Sequence, residues 1–148
     1  MATRTLTGTY ERILDEKLRI AIPKPLRKQL SQDEEVVVFV APGMDGCLDL
    51  FSAEGFEARS ARLQEHATNQ AGSRNFFRML FPSAEEISVD PQGRIRIPER
   101  LVKHAALKHD IVLVGVRDHA EIWDKMAWDE LLTKNAPNFD DLGSQALD

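Results

Sequence analysis

Apolar and polar positions alternate in short runs along this chain, and the runs come in two sets. Ile20 and Ile22 alternate with Arg19 and Ala21, and Ile95 and Ile97 alternate with Arg94 and Arg96. A period of two sends successive side chains to opposite faces of a strand, so the isoleucines point to a core and the arginines away from it. Each run ends in a proline, Pro23 or Pro98, which is tolerated where a helix begins. The pattern predicts strands over 19–22 and 94–97, followed by helices over 24–30 and 99–106. Leu101, Val102 and Ala105 form the inner face of the second helix, with Arg100, Lys103 and His104 outside. Upstream, strands are predicted over 4–14 and 86–89, each leading into a tight turn, at 15–18 or 90–93. Downstream, 36–40 pairs with 48–51, and 111–116 pairs with 120–123 through a hairpin turn at Arg117, Asp118 and His119. Helices over 53–67 and 125–134 close the two sets. An extra helix over 73–81 follows a hinge at 69–72. From residue 135 the chain turns acidic and reads as a flexible tail.

The two sets are one unit written twice. Asp15 to Pro23 aligns with Asp90 to Pro98 at an offset of 75 residues, and Leu26 and Lys28 continue it with Leu101 and Lys103. Leu50-Phe51 and Phe56 match Ile122-Trp123 and Trp128 at an offset of 72. The shift of three falls in the Gly/Pro loop 41–46, where insertions are tolerated. Neither half alone covers both faces of four short strands, whereas two halves can close a shared barrel. The expected organisation is a first repeat over 5–52, connecting helices over 53–84, a second repeat over 86–134 and the tail over 135–148, all in one integrated, pseudo-twofold domain. The fold class is mixed α/β, mainly β.

Composition narrows the chemistry. A chain of 148 residues with 43% hydrophobic and 29% charged side chains is long enough to bury its own core. No apolar run approaches the roughly 18 residues of a membrane helix, and the N-terminus lacks the apolar core of a signal peptide. The single cysteine, Cys47, excludes an internal disulfide and reads as a small buried strand residue. Four histidines, at 66, 104, 109 and 119, form no HExxH pair. There is no Walker loop, GxGxxG or Gly-x-Ser-x-Gly elbow. The expectation is a cytoplasmic protein without cofactor, metal, catalytic residues or small-molecule substrate.

The net charge of -5 speaks against a basic nucleic-acid binder until it is divided along the chain. Residues 1–30 carry a net +4 and residues 89–117 a net +3, while 31–88 and 118–148 carry -6 each. The positive charge sits on the repeated turn-strand-helix units. Asp15 and Arg19, like Asp90 and Arg94, have the spacing to pair across a tight turn. One reading stops there, with the pair fixing the turn. The other adds Lys17 and Arg96 beside the arginines, and Arg27, Lys28, Arg100 and Lys103 on outward helix faces. Arginine can then make bidentate bonds to guanine in a major groove, with lysines on phosphates.

The duplicated Asp-x-x-x-Arg, each followed by Ile-x-Ile-Pro, resembles the MraZ family of bacterial transcriptional regulators. Gly46-Cys47-Leu48, residues 112–116 and Glu121-Ile122-Trp123-Asp124 extend the resemblance over roughly residues 5–135. It implies an AbrB-like swapped-hairpin fold. It also implies a nucleoid-associated repressor that binds double-stranded DNA at short direct repeats upstream of its own division-and-cell-wall gene cluster. The active form would be a ring-shaped homo-oligomer, reading DNA through Lys17, Arg19 and Arg94. Two departures stand out. Leu18 replaces the family's usual glycine, which Gly93 keeps, and so suggests a different first turn or an apolar contact. The second motif has Pro91-Gln92 and no lysine, leaving more of the contact to Arg94 and Arg96.

Two other classes remain open on the sequence. A protein-interaction adaptor would use the acidic surface and bind no DNA. A self-cleaving pyruvoyl enzyme would need an accessible Gly-Ser bond, and Gly72-Ser73 and Gly143-Ser144 both fall in predicted linkers.

Overall fold

Val38, Val40, Leu48, Leu50, Ile111, Leu113, Ala120 and Ile122 fill one side of a sheet, while Phe39, Phe51, Val112, Val114 and Trp123, the residues between them, fill the other. This alternation underlies the whole architecture. The computed structural model describes residues 5–30, 37–67 and 69–148. Arg4 and Val36, where two predicted strands begin, lie outside the described residues. The elements in order are β1 (Thr9–Ile13), β2 (Arg19–Ala21), α1 (Lys24–Leu30), β3 (Val37–Pro42), β4 (Leu48–Ser52), α2 (Ala53–His66), α3 (Ala71–Leu80), β5 (Glu85–Ser88), β6 (Arg94–Arg96), α4 (Glu99–His104), β7 (Asp110–Gly115), β8 (Ala120–Asp124), α5 (Lys125–Asn135) and α6 (Phe139–Leu147).

Six strands form one antiparallel sheet in the order β1-β7-β8-β4-β3-β5, and β2 pairs with β6 in a separate ribbon. Exchanging the two halves turns the six-strand order into its own reverse, so a pseudo-twofold axis runs between β8 and β4. The halves are interleaved. β1 of the first pairs with β7 of the second, and β5 of the second pairs with β3 of the first. The ladder stays open, with β1 and β5 as its edges, and the ribbon closes one face by packing rather than by hydrogen bonds. Ile20 and Ile95, paired at the ribbon's centre, enter the same core as Ile22, Ile97, Leu26 and Leu101. The fold is therefore mixed α/β, built from two duplicated halves.

The opposite face is covered by helices. Phe56 of α2 stacks on Phe39 with ring centroids 4.7 Å apart, and Phe81 after α3 meets Phe56 edge-on. On the second half, Trp128 of α5 packs against Trp123. No helix among the described residues is long and apolar enough to cross a membrane.

Three local expectations change. The opening strand is confined to Thr9–Ile13, because Gly8 turns the chain at φ 99 and leaves only a single bridge from Leu6 to Arg117. The acidic tail is not an unstructured coil: Pro137 opens one helical turn over Ala136–Asn138, and α6 follows it. Asp140 and Asp141 stand in the first turn of α6, where acidic groups favour the helix dipole. The Gly-Ser bonds are not in linkers either. Gly72-Ser73 lies inside α3 and Gly143-Ser144 inside α6.

Candidate nucleic-acid interface

The ribbon is only three residues long on each side, so its two ends are the two repeated turns. At the first, Asp15 Oδ1 accepts hydrogen bonds from the amides of Lys17 (2.9 Å) and Arg19 (2.8 Å), and Oδ2 accepts from Arg19 Nε (2.8 Å). At the second, Asp90 Oδ1 accepts from the amides of Gln92 (2.9 Å) and Arg94 (2.8 Å), and Oδ2 accepts from Arg94 Nε (2.9 Å). The Arg19 amide, with its side chain and the Lys17 amide, holds the Asp15 carboxyl below its ordinary pKa, and the Arg94 amide does the same for Asp90. The pairing that the spacing predicted is therefore present at both turns.

The pairing leaves chemistry over. Each aspartate takes only the Nε of its arginine, and neither arginine's Nη1 or Nη2 has a hydrogen-bond partner among the described residues. An arginine held at Nε presents a preoriented pair of donors, the geometry suited to two acceptors on a base edge. Arg19 lies directly opposite Arg96 and Ala21 opposite Arg94. Three guanidiniums thus share the outer face of six ribbon residues. Like charges directly opposite in an antiparallel pair destabilise it, so the fold itself gains nothing from Arg19 facing Arg96. Arg96 is exposed and has no ion pair among the described residues.

The other candidates divide. Lys17 is exposed in the first turn and Lys28 is exposed on α1. Arg100 is engaged by Glu85 and by the Ser83 carbonyl, and Lys103 lies 3.6 Å from Glu99. These pairs are solvent-exposed and readily exchanged. Arg27 does not face outward. It is half-buried, donates from Nε to the Ile22 carbonyl at 3.1 Å and lays its guanidinium against Gly93. It supports the opposite repeat's turn, a role invisible locally because the two residues are far apart in sequence.

Leu18 does not build a different turn. Its φ of 61° matches the 80° of Gly93, and its side chain packs on the main core. A side chain in this left-handed region costs about 1–2 kcal/mol. The compensation is a paired exchange between the halves. A Cβ on Gly93 would stand 2.7 Å from the Arg27 guanidinium, whereas the residue equivalent to Arg27 is Val102, which packs on the same core as Leu18. Gly93→Leu is expected to cost about 2–3 kcal/mol, and adding Arg27→Val to return about 1 kcal/mol. A denaturant-unfolding double-mutant cycle measures the coupling, and strictly additive losses would mean the two positions do not share space.

The MraZ protein family model matches this duplicated chain twice, over residues 5–79 and 80–148. The chain belongs to the MraZ family. Its relatives include three proteins called transcriptional regulator MraZ. That of Pediococcus pentosaceus is 36% identical over 141 residues, covering 95% of this chain and 96% of the relative. That of Lactiplantibacillus plantarum is 36% identical over 141 residues, covering 95% and 97%. That of Heliobacterium modesticaldum is 34% identical over 142 residues, covering 95% and 96%. Membership of the MraZ family carries the duplicated AbrB-like fold.

Proposed function

We propose that this chain is a sequence-specific transcriptional regulator that binds double-stranded DNA through the outer face of the β2–β6 ribbon and performs no chemistry on a substrate. The observation that carries this is the pair of arginines fixed at Nε by Asp15 and Asp90, with their remaining donors unpaired among the described residues on one face. Arg19 and Arg94 read base edges, Arg96 adds a third cation beside them, and Lys17 and Lys28 contact phosphate. Arg100 and Lys103 reach phosphate by exchanging their surface acids for it. The names of the relatives support a regulatory role. Repression of its own division-and-cell-wall gene cluster, through short direct repeats at the promoter, follows from the resemblance. So do a nucleoid location and a ring of identical subunits. Many weak sites linked in a ring bind far more tightly than one.

The deciding experiment is a gel-shift series on the fragment upstream of the chain's own gene, at several salt concentrations, beside a scrambled fragment of equal length. The upstream fragment is expected to shift at lower protein concentration, with affinity falling linearly on a log-log salt plot. Lys17→Ala and Lys28→Ala should weaken both fragments alike and each lower the salt slope by about one unit. Equal shifts of both fragments would remove the claim of sequence reading. No shift, with captured protein partners instead, would favour the adaptor reading.

A further inference from the structure

α6 and α3 are two short amphipathic helices that the chain leaves open. In α6, Phe139, Leu142, Gly143, Ala146 and Leu147 recur at the spacing of one helix face, while Asp140, Asp141, Ser144 and Gln145 take the other. None of its nine residues is buried, and Phe139 is 77% exposed. A helix this short is marginal in water on its own and draws its stability from a covered apolar face. α3 repeats the pattern. None of its ten residues is buried, Met79 is 71% exposed, and Phe76, three residues before it, is exposed as well.

Beside α3 the helix-covered face opens into a cleft of about 260 Å³. Met44, Phe56, Leu63, Phe76, Met79 and Leu80 give it apolar walls, and Met44 is 73% exposed. Two charges that line it are balanced within the chain, Arg59 by Asp118 and Asp49 by His119, each at 3.5 Å. The free charge is on α3, which carries Arg74 and Arg78 and no acid. Arg78 donates to Asn75 Oδ1 at 3.0 Å and Arg74 to the Asn69 carbonyl, so neither is in an ion pair among the described residues. α6 is the reverse. It carries Asp140 and Asp141, ends at Asp148 and has no base, and none of these acids is in an ion pair among the described residues.

We propose that α6 of one chain seats its apolar stripe in the α3 cleft of a second copy, with Asp140 and Asp141 facing Arg74 and Arg78. The mode is a helix laid in a groove through anchors at i, i+3, i+4 and i+7. Charge selects this occupant, because DNA phosphate and an anionic membrane surface both repel an acidic helix. The seat is not the cleft of the same chain, where stripe and cleft stand exposed together. Two different patches meet, so each chain offers one helix and one cleft, and the contact repeats from copy to copy until rotation closes it. α3 lies between the repeats and has no counterpart in the second, so the duplication does not double the cleft. The inference rests on the ring of identical subunits in the proposed function and names its joint, on a face that leaves the ribbon free.

The test is sedimentation velocity on the full chain without DNA. The wild type is expected to run as a multiple of one chain mass. Leu142→Asp on the helix and Met79→Asp in the cleft each shift it toward a single chain, raising the concentration of half-association by about tenfold or more. Both positions are exposed, and circular dichroism checks the fold. Mixed, the two variants combine one to one, because the first keeps its cleft and the second its helix. Reversing charge on one side, by Asp140→Lys with Asp141→Lys or by Arg74→Asp with Arg78→Asp, weakens association, and reversing both restores it. Ile13→Asp, on the open edge of β1, keeps the wild-type mass. A monomeric wild type overturns the proposal, as do variants that keep the wild-type mass and a mixture that stays two monomers. Dissociation by Ile13→Asp alone puts the joint on the sheet edge and overturns it too. Should Leu142→Asp unfold, Met79→Asp and the charge reversal decide. An assembled wild type that binds no DNA would end the regulatory reading and leave the joint standing.

Discussion

Replacing both Arg19 and Arg94 by alanine is expected to lower affinity for the upstream DNA by about 2–6 kcal/mol, roughly thirty- to twenty-thousandfold, while affinity for scrambled DNA falls far less. Each arginine is assigned one bidentate base contact worth about 1–3 kcal/mol, and the two turns lie at opposite ends of the ribbon, so the losses should nearly add. Fold stability should hold, since each pair is partly exposed and such pairs contribute little. Asp15→Asn with Asp90→Asn makes the complementary measurement. It keeps both arginines and their charge but weakens the anchor at Nε, so sequence discrimination should fall more than nonspecific affinity. Fluorescence anisotropy on both DNAs reads each outcome. Wild-type affinity in the double alanine variant would end the base-reading assignment.

Gly115→Val is expected to destabilise the chain by about 3 kcal/mol, a large share of the 5–15 kcal/mol that holds a typical domain. A Cβ at Gly115 would lie 2.4 Å from the Thr7 amide nitrogen and 2.6 Å from the Leu6 carbonyl carbon. Both are backbone atoms, with no side chain able to swing aside. The Gly115 amide also donates to the Gly8 carbonyl at 2.9 Å, and Leu6 and Arg117 exchange two hydrogen bonds next to it. The N-terminal segment must therefore lift off, taking the buried Leu6 with it. Calorimetry should find the midpoint lowered by about 6–12 °C, and amide exchange should speed first at Leu6. An unchanged midpoint would mean that this crossing is not fixed in solution.

Much of the fold was legible because it is local and written twice. The two-residue period at Ile20 and Ile95, the prolines after them and the turn aspartates each act within a few residues, and repetition separated them from chance. The Asp15–Arg19 pair is of the same kind. Strand exchange was not legible, because nothing within Thr9–Ile13 says that its partner is β7, a hundred residues on. Arg27 was misplaced for the same reason, since its contact with Gly93 exists only once the halves interleave. The helix at Phe139–Leu147 was masked by its acidic composition, although Phe139 and Leu142 lie one turn apart on it.

The pairing of Arg19 with Arg96, and of Arg94 with Ala21, has a consequence for how subunits would lie on DNA. A perfectly twofold ribbon would fit a duplex equally well in either direction, because a duplex backbone has dyads of its own. Here one strand carries arginine where its counterpart carries alanine, so rotation by half a turn exchanges a cation for a methyl group. The ribbon therefore has a head and a tail. A row of such subunits laid head to tail on one promoter would call for sequences written in tandem, and a head-to-head pair for mirror images.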